Sequence, residues 1–218
     1  YDNPDVGLVV KTFMKGGSKI DRRMVKSHIK QLLRKYKDRK CKIYFLHGDL
    51  TDQEMHSLYR DDTIHALISL SHGEGFGLPL FEAAYSGLPV VTTDWSGHVD
   101  FLYKPVKDKK GKIKNRAHFA KVDYDLQPVQ KEAHWESVIQ PDSMWAFAQQ
   151  GSYKMKLREV VREYGRFKKQ AKNLQKYILD NFTFEKQSKK FNDHIISQDE
   201  FEIADWLSDL ESEIQVHS

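Results

Sequence analysis

An α/β fold built on a parallel, Rossmann-like sheet with helices on both faces is what the sequence predicts, and three observations carry that prediction. Short apolar runs rich in Val, Ile and Leu alternate with helical patterns over the first hundred residues. Such alternation makes successive strands parallel, with helices as crossovers. A glycine-rich segment falls between a predicted strand and a predicted helix, which is where open sheets of this kind bind ligands.

The elements follow in order. Five consecutive residues from Val6 to Val10 are apolar or Gly and read as a buried strand. From Ile20 to Tyr36, apolar residues recur at Ile20, Met24, Ile29, Leu32, Leu33 and Tyr36, with Lys and Arg elsewhere, so a helix with that inward face is expected. Lys42 to Leu46 is a second strand. Thr51 and Glu54 have capping-box spacing, which predicts a helix running to about Arg60. Ile64 to Leu70 is a third strand, Leu78 to Ser86 a helix and Pro89 to Thr92 a fourth strand. Lys104 to Arg116 holds seven basic residues around Gly111 and a single acid, Asp108, and reads as an exposed loop or hairpin. Lys154 to Asp180 is expected to be one long amphipathic helix, through the stripe Leu157, Val160, Val161, Tyr164, Phe167, Ala171, Leu174 and Ile178. Thr183 is placed to cap another helix, ending near Ile195.

Composition bounds the function. The single cysteine, Cys41, excludes a disulfide framework and any site built from several thiolates. No apolar run approaches the roughly 20 residues of a membrane-spanning helix. The expected location is cytoplasmic, with peripheral contact at a membrane surface left open. The sequence starts at Tyr1 without a signal-peptide pattern, so a piece of a longer protein is expected. Its net charge of +4 is unevenly spread. Residues 198–218 hold seven acids and no Lys or Arg, alongside Phe201, Ile203, Trp206, Leu207 and Leu210. The expected division is one domain over 1–197 and an acidic tail or amphipathic helix over 198–218. The basic body suits a phosphate-bearing ligand, an anionic surface or nucleic acid, but no nucleic-acid recognition motif is present.

The chemistry lies in Ser71-His-Gly-Glu-Gly-Phe-Gly-Leu-Pro-Leu-Phe-Glu82. Gly73, Gly75 and Gly77 allow a tight turn and close approach to a ligand, and Pro79 suits a first helical turn. The exposed amides and positive dipole end of the helix make an anion site. Leu78 occupies the position of the last glycine in a dinucleotide fingerprint, and no Lys-Ser or Lys-Thr completes a P-loop. His72-x-Glu74 resembles a zinc deaminase motif, but that motif needs further thiolates. On helical geometry Glu74 and Glu82 would share nearly one face about 12 Å apart, too far for a two-carboxylate hydrolase.

Glu74, seven intervening residues and Glu82, within Glu-Gly-Phe-Gly-Leu-Pro-Leu-Phe-Glu, resemble the signature of glycosyltransferase family four. The flanks agree: Leu50 to Arg60 before it, Ser86-Gly-Leu-Pro-Val-Val91 and Ser96-Gly97-x-x-Asp100 after it, and Gln140-Pro-Asp142 and Asn181-Phe-Thr-Phe-Glu185 further on. The likeness spans about residues 6–196. It implies the carboxyl-terminal, donor-binding half of a GT-B enzyme that transfers a hexose from a nucleotide sugar with retention. It also implies that the acceptor-binding amino-terminal half lies outside this sequence.

Residue by residue, the resemblance gives Glu74 the transferred sugar and the catalytic role of orienting it and stabilising charge, with no covalent nucleophile. Glu82 would hold the ribose hydroxyls, and the amides of Gly75, Phe76, Gly77 and Leu78 would receive sugar and diphosphate. Lys11, with Lys15 or Lys19, would neutralise the diphosphate, so neither a metal nor another cofactor is expected. His47 belongs either to the base pocket or to a plain loop. The expected partners are a nucleotide sugar, an acceptor of unknown class and the amino-terminal half, with no nucleic acid. A non-catalytic nucleotide-sugar binding module is the alternative.

Overall fold

The computed structural model describes residues 3–195; the acidic segment expected over 198–218 lies outside them. The chain divides after Ser57 into two compact units.

In the first unit, β1 (Gly7–Thr12) and β2 (Lys42–His47) pair in parallel, from Gly7 opposite Lys42 to Thr12 opposite His47. Helix α1 (Lys19–Leu33) connects them, followed by a 3-10 turn over Arg34–Tyr36. Ser18 caps α1, its side chain accepting from the Asp21 amide at 3.1 Å. Two expectations are corrected here. Leu8 and Val9 of β1 are exposed, because the described residues of this unit form a two-stranded sheet that gives β1 little cover. The predicted inward face of α1 holds only in part: Ile29 and Leu33 are half-buried, whereas Ile20 is 71% exposed and Met24 and Leu32 are exposed too. Asp21 and Val25 face inward instead. Neighbouring residues differ by about 100° around a helix, and the hydrogen bonds of Asp21 fix which row points in.

Helix α2 (Asp52–Arg60) carries the division between the units near its end. Its capping box forms: Glu54 accepts from the Thr51 amide at 2.8 Å, and the Glu54 amide donates to Thr51 Oγ1 at 3.3 Å.

The second unit has a three-stranded parallel sheet in the order β3 (Leu67–Ser69), β4 (Val90–Thr93), β7 (Ala120–Val122). All four residues of β4 are buried, as in a central strand covered on both faces. Helix α3 (Leu78–Tyr85) crosses from β3 to β4, which is the predicted Rossmann-like arrangement. After α4 (Val99–Leu102) the basic segment forms an antiparallel hairpin, β5 (Tyr103–Lys107) with β6 (Ile113–Ala117). A second hairpin pairs β8 (Tyr124–Pro128) with β9 (Met144–Ala148). Neither β7 nor this second hairpin is expected from the sequence patterns.

The single long helix expected over 154–180 is two helices, α5 (Gln150–Arg162) and α6 (Tyr164–Asn181), broken at Glu163 with φ −115° and ψ 33°. The break lets Val160 of α5 and Phe167 of α6 both pack with Val91, Ala120 and Val122 of the sheet. Residues 184–195 are helical, and Thr183 Oγ1 accepts from the Lys186 amide at 3.3 Å, as its capping role requires.

Candidate donor site

The glycine turn leaves the carboxyl end of β3 and enters α3 at Leu78. Gly77 is the N-cap with φ +87°, a left-handed conformation natural to glycine, and Pro79 sits in the first turn. The four amides at a helix start have no partner within the helix, and Pro79 contributes none. Leu78 is exposed at this end. The Phe76 ring packs against Phe81 and Phe101, with centroids at 5.2 and 5.1 Å, so its backbone rather than its ring is what the turn offers.

A second loop clamps the turn. Ser96 Oγ accepts from the Glu74 amide at 2.9 Å and donates to the Glu74 carbonyl at 2.6 Å. The Gly97 amide donates to the same carbonyl at 3.0 Å. Ser96 holds φ +79°, uncommon for a residue with a side chain. A Cβ on Gly97 would overlap the Gly75 carbonyl oxygen, so only glycine fits there. His98, fully buried, donates from Nε2 to the Thr93 carbonyl at 2.7 Å and lies against Gly77. The Ser96-Gly97 motif of the sequence is therefore the brace of the glycine turn.

Strand β9 braces the other side. His72 Nδ1 donates to the Ala146 carbonyl at 2.8 Å, and the Ala146 amide donates to the His72 carbonyl at 3.2 Å. The His72 ring stacks on Trp145, centroids 4.9 Å apart and 11° from parallel. The sequence patterns do not single out this support, and show there a short apolar run, Met144 to Ala148.

Glu74 is half-buried and precedes the helix, whereas Glu82 is exposed and within it. The helical eight-residue spacing used to separate the two carboxylates therefore does not hold, because residues 74–77 form the turn. Glu82 accepts a hydrogen bond from the buried Tyr59 hydroxyl. Burial, then the Glu82 charge and that bond, push the Tyr59 pKa up to about 12. Tyr59 was not singled out by the sequence.

In the first unit, Lys11 and Lys15 are both exposed. Lys11 lies at the end of β1, its ammonium 5.3 Å from the Phe13 ring centroid. Lys15 is in the loop that follows. The His47 side chain is only 6% exposed and pairs with Asp21 at 2.8 Å. Among the described residues, no three His, Cys, Asp or Glu side chains gather as a metal site, and no helix is long and apolar enough to cross a membrane.

A parallel sheet with a clamped glycine turn at a strand end, opening a helix, defines a Rossmann-like domain. Residues 24–110 match the family model for glycosyl transferases group 1, which supports a GT-B group 1 glycosyltransferase domain in this chain and glycosyltransferase activity in general. The matched stretch contains His47, the glycine turn with Glu74, and Glu82, and it begins beyond Lys11 and Lys15. The family implies a sugar donor and an acceptor. No curated protein matches the chain.

Proposed function

We propose that this chain is the donor-binding part of a retaining glycosyltransferase, taking a hexose from a nucleoside diphosphate sugar to an acceptor hydroxyl. The observation that carries this reading is the glycine turn, held from both sides at the start of α3, within the matched family segment. In this reading the amides of Gly75 to Leu78 receive sugar and diphosphate, and Glu74 orients the sugar hydroxyls. A carboxylate suits that task because it accepts two hydrogen bonds from a diol. Glu82, backed by Tyr59, holds the ribose. Lys11 and Lys15 offset the charge that develops on the leaving diphosphate, without a bound metal. The acceptor site belongs to an amino-terminal half outside the 218 residues.

The leaving phosphate guides the acceptor hydroxyl to the face it vacates and takes its proton. The new glycosidic bond thus forms with retention, and no enzyme nucleophile is required. The test is a thermal-shift and calorimetric screen of uridine, guanosine and adenosine diphosphates and their sugars, with a chelator present. At a hundredfold excess over its dissociation constant, the right ligand stabilises the fold by about 2.7 kcal/mol. Binding by none of them, or strict dependence on a divalent ion, overturns the reading.

A further inference from the structure

Asp21 is a charged residue where packing alone would place an apolar one. It lies in the first turn of α1, is 4% exposed, and has every part of its carboxylate engaged. Oδ1 accepts from the Lys15 amide at 2.9 Å. Oδ2 accepts from the Met14 amide at 3.1 Å and lies 2.8 Å from His47 Nε2. The Asp21 amide itself donates to Ser18. One side chain thus joins the loop after β1, the first turn of α1 and the last residue of β2. Burying a carboxylate is costly unless it is bonded in this way.

The loop has little stiffness of its own. It contains Gly16, at φ +105°, and Gly17, and the main chain at Gly17 comes close to Gly48, at φ +97°. Two adjacent glycines leave the backbone many conformations, so the bonds from Asp21 to Met14 and Lys15 select the one observed. The same bonds explain why Asp21 rather than Ile20 faces inward.

We infer that Asp21 and His47 are positioning residues for phosphate binding, fixing the main chain of Met14 and Lys15 so that the Lys11–Lys19 loop meets a diphosphate already in shape. This rests on the donor-binding reading above. Its physical basis is preorganisation: a cationic loop that must order itself on binding loses affinity to the entropy of ordering. His47 then acts through Asp21 and makes no contact with the base.

The test compares the full chain with His47→Ala and with His47→Gln, whose amide can still donate to Asp21. The probes are the nucleoside diphosphate that binds best among those of uridine, guanosine and adenosine, and the corresponding monophosphate. His47→Ala is expected to lose about tenfold in its preference for diphosphate over monophosphate, the effect of one hydrogen bond to a charged group. His47→Gln is expected to restore most of it. Amide hydrogen exchange at Met14 and Lys15 should accelerate in His47→Ala and not in His47→Gln. Far-ultraviolet circular dichroism checks that both variants fold, and Asp21→Asn replaces His47→Ala if the latter does not. An unchanged diphosphate preference overturns the inference even if exchange accelerates. Unchanged exchange overturns the holding role whether or not nucleotide binds. If the wild type binds no nucleoside diphosphate, the functional reading beneath it fails, while exchange still reports whether the pair holds the loop.

Discussion

Tyr59 illustrates how a buried residue defines an exposed one. Its pKa of about 12 keeps the hydroxyl protonated throughout the working pH range, so it is a permanent donor to Glu82. That bond narrows the orientations open to a carboxylate at the surface of α3. Tyr59→Phe should therefore weaken a ribonucleoside diphosphate while leaving its 2′,3′-dideoxy analogue nearly unchanged, at about 1 kcal/mol for a net hydrogen bond. Calorimetry with the two ligands checks this, and equal loss for both would contradict it. Glu82→Ala should cost the free nucleotide about 1.5 to 3 kcal/mol. Glu74→Ala should instead affect mainly the sugar-bearing donor, and equal weakening of free nucleotide by both changes would refute the division of roles.

Asp21 carries a pH consequence of its own. Its hydrogen bond to His47, aided by the Met14 and Lys15 amides, holds its pKa below the ordinary carboxylate value of 3.8. A lowered folded pKa stabilises the protein above the unfolded value and loses that contribution as pH falls through the folded one. The melting temperature of the wild type should therefore drop more steeply below about pH 4 than that of Asp21→Asn. Parallel acid profiles would show that the carboxylate contributes nothing.

At the scale of elements, the glycine turn and the loop that clamps it act as one device. Gly97→Ala forces a methyl group into the Gly75 carbonyl, so it should destabilise the fold by more than about 2 kcal/mol and abolish donor binding. Gly75→Ala meets nothing within 4 Å and should leave stability nearly intact. Thermal denaturation of the pair is the check, and similar losses for both would contradict the clamp. The glycine turn and the helix starts, but not the clamp, were legible in the sequence because their information is local: Thr51 and Glu54, Pro79 and the glycines each dictate backbone within a few residues. What the sequence hid depends on distant partners. The stripe across residues 154–180 keeps its helical period through Glu163, so nothing local marks the break that shares Val160 and Phe167 with one sheet. β7 has only three residues, with Lys121 between Ala120 and Val122, so no apolar run marks it, and it is defined by pairing with β4. The rotation of α1 is set by hydrogen bonds of Asp21, which a count of apolar residues cannot see.

For the whole molecule, the proposed function makes a demand on the 218 residues together. Transfer needs the acceptor hydroxyl within about 3 to 3.5 Å of the sugar carbon, and in this account that positioning comes from the amino-terminal half. The chain alone should therefore bind donor and at most hydrolyse it slowly. An assay of the chain alone, and then with the amino-terminal half supplied, checks this, and efficient acceptor-dependent transfer by the chain alone would contradict it. The most direct measurement is a calorimetric titration of the wild-type chain with the nucleoside diphosphates of uridine, guanosine and adenosine in the presence of a chelator. Saturable one-to-one binding of at least one of them, weakened by Glu82→Ala, is the expected result. No binding by any of the three, or binding that appears only when a divalent ion is restored, would contradict it.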